Sequence, residues 1–336
     1  MSKTILLTGG AGYIGSHTYV ELKSAGYDVV IIDNFSNARP DVIDRLAQIT
    51  DAPVTWHKGD VLDKAFLAKV FAQHAVDAVI HFAAKKAVGE SVEKPLDYFE
   101  TNCTGFSNIL MAMQAAGVFN VVFSSTATVY GEPLSLPYTE DHRIAPVSPY
   151  AQSKVTCETL LRQLKDSDPR WNYGVLRYFN PAGAHDSALI GEDPNDIPNN
   201  LMPYIAKVAT GELPHLNVFG DDYDTPDGTG VRDYIHVVDL ARGHVQSVGK
   251  LLDDQDTHIL NLGTGTGYSV FDMLRSYEKA CGTTLPFKIG PRRAGDIDCF
   301  YADPASARDY LGFEATRGLD EMCQSSWNWV SRVRNS

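Results

Sequence analysis

Thr4-Ile5-Leu6-Leu7-Thr8-Gly9-Gly10-Ala11-Gly12-Tyr13-Ile14-Gly15 is the stretch on which the reading of this chain turns. Thr4 to Thr8 is an apolar run of strand length, and the glycines follow it directly. Ser16 to Ala25 then reads as a helix ended by Gly26, and Asp28-Val29-Val30-Ile31-Ile32-Asp33 as a second strand. The glycines fit both G-x-G-x-x-G (Gly10, Gly12, Gly15) and G-x-x-G-x-x-G (Gly9, Gly12, Gly15). Alone such a fingerprint is weak. Inside a strand–turn–helix–strand unit of about 30 residues it acquires a mechanism. The glycines allow a tight turn, close backbone approach to a pyrophosphate and close helix packing, while the helix N-terminus offers N–H groups to the phosphates.

Asp33 ends the second strand, where a carboxylate can accept hydrogen bonds from ribose hydroxyls and would repel a 2′-phosphate, which favours NAD over NADP. Arg39, in the following loop, could hold such a phosphate and ranks second. The alternation continues. Val54-Thr55-Trp56 reads as a strand leading to Gly59-Asp60-Val61, with Asp60 placed to meet the adenine or to cap the helix around Asp63–Gln73. Ala78–Phe82 and Asn120–Ser125 are further strands, and a long helix is expected over roughly Pro95–Ala116. Near-continuous apolar strands alternating with helices predict an α/β fold with a Rossmann-type, doubly wound parallel sheet. Ligands of such sheets sit beyond the carboxyl ends of the strands, where Ser124, Ser125 and Thr126 fall.

The chain has 336 residues, enough for about two domains. Its formal net charge of -13 argues against nucleic acid or an anionic membrane as the main partner. The five cysteines form no Cys-x-x-Cys pair and no zinc spacing, so reduced thiols in a reducing compartment are expected. The first apolar run is too short for a signal sequence, and no apolar run approaches 18 residues. The expectation is a cytoplasmic protein without a metal. The acidic loop Asp222–Gly228 has its glycine one place late for a calcium loop and Asp233 where a glutamate is needed, and reads as solvated.

Ser148-Pro149-Tyr150-Ala151-Gln152-Ser153-Lys154 places a phenol and an ammonium four positions apart at the start of a predicted helix, with Ser148 as N-cap and Pro149 in the first turn. Tyr150 and Lys154 then share a face. A cation roughly 4 Å away could lower a phenol by up to about 3 pKa units and make a base that works near neutral pH.

With Asp33, Thr126 and Tyr-x-x-x-Lys, the glycine turn resembles the extended short-chain dehydrogenase/reductase family. The resemblance implies Tyr150 as acid/base, Lys154 as the group that binds the nicotinamide ribose and tunes the phenol, and Thr126 as the partner of the reacting hydroxyl. Nucleotide-sugar dehydratases of that family carry an Asp-Glu pair after the threonine. Here Ala127 and Thr128 follow, and neither supplies a carboxyl group for elimination. Four stretches are similar to the family's UDP-sugar 4-epimerases: Lys86–Ser91, Arg177–Pro181, Pro198–Tyr204 and Gly228–His236. Arg292–Asp296 belongs with the last three around a UDP-sugar.

By that likeness the cofactor is NAD, contacted by Gly9, Gly12, Tyr13, Ile14, Gly15, Asp33, Asn34, Ser36, Asn37, Asp60, Val61, Phe82, Ala83, Lys86, Tyr150, Lys154 and Phe179. UDP-glucose or UDP-galactose is contacted by Thr126, Asn180, Asn200, Leu201, Asn217, Phe219 (near the uracil), Arg232 and Arg293 (on the diphosphate), Asp296 (on the uridine ribose) and Phe300. Phe300, or Cys299 if the loop shifts by one residue, takes the position facing the sugar's C2 substituent, and a ring there leaves little room for an acetamide. The likeness further implies a homodimer through helices around 95–116 and 150–165. An NAD-binding domain is expected over 1–180, with return segments about 235–265, and a smaller mixed α/β UDP-sugar-binding domain over 181–336. The implied reaction is oxidation at C4, rotation of the keto sugar, and re-reduction.

Overall fold

In the first half, β1 (Thr4–Thr8), α1 (Tyr13–Ser24), β2 (Asp28–Asp33), α2 (Val42–Thr50), β3 (Thr55–Lys58), α3 (Lys64–Gln73) and β4 (Ala78–His81) alternate. They are followed by α4 (Val88–Glu93), α5 (Pro95–Tyr98), α6 (Gly105–Ala116), β5 (Asn120–Thr126), α7 (Pro149–Ser167) and β6 (Asn172–Tyr178). The second half holds β7 (Asn180–Ala182), α8 (Leu201–Ala209), β8 (Leu216–Phe219), β9 (Val231–His236), α9 (Val237–Asp254), β10 (His258–Leu262), β11 (Gly267–Ser269), α10 (Val270–Cys281), β12 (Phe287–Gly290), β13 (Cys299–Phe300), α11 (Ala305–Leu311) and α12 (Leu319–Asn335). This is a computed structural model that describes residues 2–193, 200–293 and 295–335. Pro198, Asn199 and Ala294, within stretches quoted above, lie outside the described residues.

Seven strands form one sheet in the order β10-β6-β5-β4-β1-β2-β3, every pair parallel. Alternate residues of a strand point to opposite faces. Leu7, Ile31 and Ile80 join Tyr19 and Leu22 of α1 and Leu240 and Val248 of α9 on one side. Leu6, Val30 and Val79 join Phe106, Ile109 and Met113 of α6 and Leu161 of α7 on the other. The doubly wound α/β sheet is therefore present, and the late strand β10 lies at its edge beside β6. The second half adds a small sheet around β9 and a β8–β12 pair, packed over their own apolar cluster.

The expected long helix over Pro95–Ala116 is interrupted. Phe99–Thr104 is π-helical, and this widened turn carries Asn102 inward. The Asn102 side chain accepts from the Lys85 amide at 2.8 Å and donates to the Ser153 hydroxyl at 2.9 Å, tying the turn to the loop after β4 and to α7. Apolar periodicity does not register one extra residue placed to make those bonds. The start of α7 is as expected: Pro149 occupies its first turn, and the Ala151 amide donates to Ser148 Oγ at 3.2 Å. At α3 the cap is Asp63, which accepts from the Phe66 amide, while Asp60 accepts from Leu62 and from the Asn34 side chain. None of the described helices is long and apolar enough to cross a membrane.

Candidate active site

The glycine turn is shaped by contact distances. Gly9 has φ +68°, and a Cβ there would lie 2.7 Å from the Ala83 nitrogen. A Cβ on Gly15 would lie 2.4 Å from the Gly9 carbonyl oxygen and 2.8 Å from Gly10 Cα. The turn thus folds directly onto α1, whose N-terminus carries no side-chain cap. Its first-turn N–H groups and the positive end of its dipole face a groove of about 370 Å³.

That groove runs along the carboxyl ends of β1, β2 and β4. It is lined by Gly9, Gly12, Tyr13, Ile14, Gly15, Asp33, Asn34, Ser36, Asn37, Asp60, Val61, Phe82, Ala83, Lys86, Tyr150 and Lys154. Asp33 accepts from the Ala11 amide at 3.0 Å and from the Phe35 amide at 2.8 Å. These bonds aim its carboxylate across the turn. Burial raises its pKa and the two amides oppose that rise. Uncapped amides at one end, an acid at the second strand and small residues between them fit a dinucleotide. Phe179, expected on the groove, instead packs in a buried cluster with Tyr138 and Phe300. Its neighbour Tyr178, the last residue of β6, lines the groove in its place, while Phe179 lies in the link between β6 and β7 and is held by its contacts with Tyr138 and Phe300.

The geometry at Tyr150 and Lys154 corrects one expectation. Lys154 Nζ donates to the Ser124 carbonyl at 2.8 Å and lies 4.8 Å from the centre of the Phe123 ring. Burial lowers its pKa to about 8, opposed by Cys157, Cys103 and Glu158. The phenol of Tyr150 is not depressed by the ammonium. Burial pushes it up to about 12, with only the Thr126 side chain pulling it down. Helical spacing puts the two residues on one face, but a desolvated ammonium held on a strand carbonyl does not offset the burial of the phenol. Thr126 ends β5, buried, and accepts from the Thr128 amide at 3.2 Å.

A second cavity, of about 380 Å³, is lined by Asn180, Asn200, Leu201, Asn217, Phe219, Arg232, Arg293 and Asp296. Thr126 and Phe300 are not part of its lining. The Arg232 guanidinium is ion-paired with Asp296, so these two expected ligand contacts engage each other. The Tyr223 hydroxyl donates to the other Asp296 oxygen at 3.2 Å. The Arg293 guanidinium lies 4.1 Å from the centre of the Phe219 ring, whereas Arg292 turns away to Asp222 at 2.7 Å. Phe300 is buried against Tyr138 and Phe179, with ring centroids at 4.7 and 5.0 Å.

Some residues at the site carried no signal in the sequence. Glu192 lines the first cavity and accepts on one oxygen from Lys86 at 3.2 Å and from Asn200 at 2.9 Å, so a single carboxylate joins a residue of each cavity. Trp329 of α12 also lines the groove, under the Arg45 guanidinium at 5.1 Å. Tyr204 and Tyr234 line the second cavity and lay inside the stretches quoted above.

A family model described as GDP-mannose 4,6 dehydratase matches residues 6–326. A UDP-glucose 4-epimerase of Bacillus subtilis is 54% identical over 327 residues, 97% of this chain and 96% of that one. Among solved structures, a UDP-glucose-4-epimerase from Stenotrophomonas maltophila with bound NAD and formylated UDP-arabinopyranose superposes with TM-score 0.97 at 47% identity, over 99% of both chains. The UDP-glucose 4-epimerase from Bifidobacterium longum in complex with NAD+ and UDP gives 0.94 at 50% identity, again over 99% of both chains.

Proposed function

The chain belongs to the UDP-glucose 4-epimerases of the extended short-chain dehydrogenase/reductase family, and from that premise we propose that it interconverts UDP-galactose and UDP-glucose with NAD as its resident cofactor, as an enzyme of galactose metabolism. The observation that carries the reading is the placement of Tyr150 and Lys154 on the wall of the dinucleotide groove, with a guanidinium-lined cavity beyond it. The first-turn amides of α1 and Asp33 would hold NAD, and Asn180, Asn200, Phe219, Arg232 and Arg293 would hold the sugar nucleotide. Planar guanidinium forks suit diphosphate oxygens. Bound NAD would supply the acceptor and donor of the C4 hydride, and its oxidised ring would add a formal positive charge.

The residues do the rest. Tyr150 takes the C4 hydroxyl proton and returns it, a task that requires its phenol to fall from the value to which burial raises it. Lys154 holds positive charge and fixes the end of β5 through the Ser124 carbonyl. Thr126 orients the reacting hydroxyl. Anchoring through the UDP moiety, with few contacts to the hexose, leaves the 4-keto sugar free to turn. Phe300 restricts the space beside C2 and favours unsubstituted hexoses over their N-acetylated forms. Residues 1–180 with the return segments around 235–265 hold the cofactor, and 181–336 hold the sugar nucleotide.

Elimination chemistry is disfavoured: Ala127 is buried in the core, and Thr128 Oγ1 is engaged by Thr126 at 3.0 Å. The reading extends to a homodimer through helices around 95–116 and 150–165, a reading supported by the exposed apolar Leu96 and Met111 on the first of these stretches. Free cysteines throughout the described residues suit the reducing cytoplasm.

The test is coupled detection of UDP-glucose formed from UDP-galactose without added NAD, alongside a panel of UDP-N-acetylgalactosamine and UDP-pentoses. Tyr150→Phe should retain NAD and nearly abolish turnover. Full activity in that variant sinks the assignment.

A further inference from the structure

Beneath the Tyr150/Lys154 pair lies a buried ion pair with no direct role in the chemistry above. Glu158 of α7 is 3% exposed and Arg177 of β6 is 4% exposed. Arg177 donates to both Glu158 oxygens, from Nε at 3.1 Å and from Nη2 at 2.6 Å. Its remaining nitrogen donates to the Tyr130 hydroxyl at 3.1 Å and the Glu140 carbonyl at 3.2 Å. Ser125, fully buried, donates to Glu158 Oε1 at 2.5 Å. One carboxylate therefore joins the helix that carries Tyr150 and Lys154 to the residue next to Thr126 and to the neighbouring strand. Two buried charges with every polar atom satisfied cost desolvation, and a hydrophobic pair would often be as stable.

We propose that the Ser125–Glu158–Arg177 cluster registers α7 against the end of β5, and that Glu158 is thereby a positioning residue for the Tyr150/Lys154 pair. Glu158 is one turn beyond Lys154 on the same face. A slip of α7 would carry the phenol away from Thr126 and the ammonium away from the Ser124 carbonyl together. Glu158 also raises the pKa of Lys154 against its burial, as do Cys157 on α7 and Cys103 on the π-helical stretch. On β4, His81 faces Lys154 and is itself held neutral, lowered to about 3 by burial and by that ammonium. Tyr178 from β6 and Tyr98 from α5 face the phenol of Tyr150. Loss of the Glu158 charge removes one anion from this set and frees the Arg177 cation, and both changes disfavour a charged Lys154.

The inference rests on the epimerase reading, so unsubstituted enzyme is assayed in parallel on UDP-galactose, and an inactive unsubstituted protein counts against that reading alone. Glu158→Gln should lower kcat roughly tenfold or more and move the basic limb of the kcat–pH profile about one unit toward acid. KM for UDP-galactose and the NAD content should stay within about twofold, and Glu158→Asp should restore the limb. Should Glu158→Gln fail to fold, Ser125→Ala decides: it leaves no unpaired charge and should lower kcat several-fold with KM and melting temperature near those of the parent. The proposal is overturned if kcat and the basic limb stay unchanged. It is equally overturned if kcat, melting temperature and NAD content fall together with the limb unmoved, which is the behaviour of a purely structural pair.

Discussion

Replacing Gly15 by alanine asks whether the glycine turn works by contact distance. The added Cβ would sit 2.4 Å from the Gly9 carbonyl oxygen, 2.8 Å from Gly10 Cα and 3.1 Å from Gly10 C. Packed atoms settle at about 3.5–4.0 Å, so roughly 1 Å of movement is needed. All three neighbours are backbone, and no flexible side chain can absorb the shift. Overpacking of this kind costs about 1–3 kcal/mol. The strain is relieved by lifting the turn off α1, which separates the parts that hold the cofactor. NAD should therefore bind roughly 5- to 150-fold more weakly. Gly249→Ala on α9 is the comparison: its Cβ meets only the Tyr27 hydroxyl, at 3.4 Å, and a helical Gly→Ala change favours the helix by about 1 kcal/mol. Calorimetric NAD titration of stripped protein, with thermal melts with and without NAD, reads both. The reasoning fails if Gly15→Ala binds NAD within twofold of the parent.

Acidification should destabilise the protein through buried histidines. Burial lowers His17, His81 and His236 to about 3 and His244 and His258 to about 4. Their folded values lie below the unfolded one, so the unfolded chain binds more protons from pH 6.5 down to about 3. Stability falls through that window, by about 1 kcal/mol per histidine between pH 6.5 and 5.5; a melting temperature flat over this range contradicts it. Phe300→Ala should raise turnover of UDP-N-acetylgalactosamine relative to UDP-galactose by roughly tenfold and cost about 3 kcal/mol of stability; an unchanged ratio places the C2 substituent elsewhere. Arg293→Met should weaken UDP binding roughly tenfold or more and leave NAD binding unaltered, and equal loss of both would remove Arg293 from the sugar-nucleotide cavity.

The sequence by itself determined the parallel sheet, the glycine turn and the identity of the groove, because these rest on local rules. Strand apolarity, helix capping at Ser148 and the need for glycine at position 15 are properties of short segments. Chain neighbours on one helical face, such as Tyr150 and Lys154, could also be paired from spacing. The electrostatics of that pair was not local: the phenol rises because tertiary burial desolvates it, and the ammonium is claimed by the Ser124 carbonyl 30 positions away. Tyr178 rather than Phe179 lines the groove because the link after β6 turns Phe179 into its packing with Tyr138 and Phe300. The π-helical turn at Asn102, the Glu192 carboxylate shared by Lys86 and Asn200, and the Glu158–Arg177 pair each join segments distant in the chain. Only the tertiary structure decided these, since a buried charge or amide is set by the partner that folding brings to it.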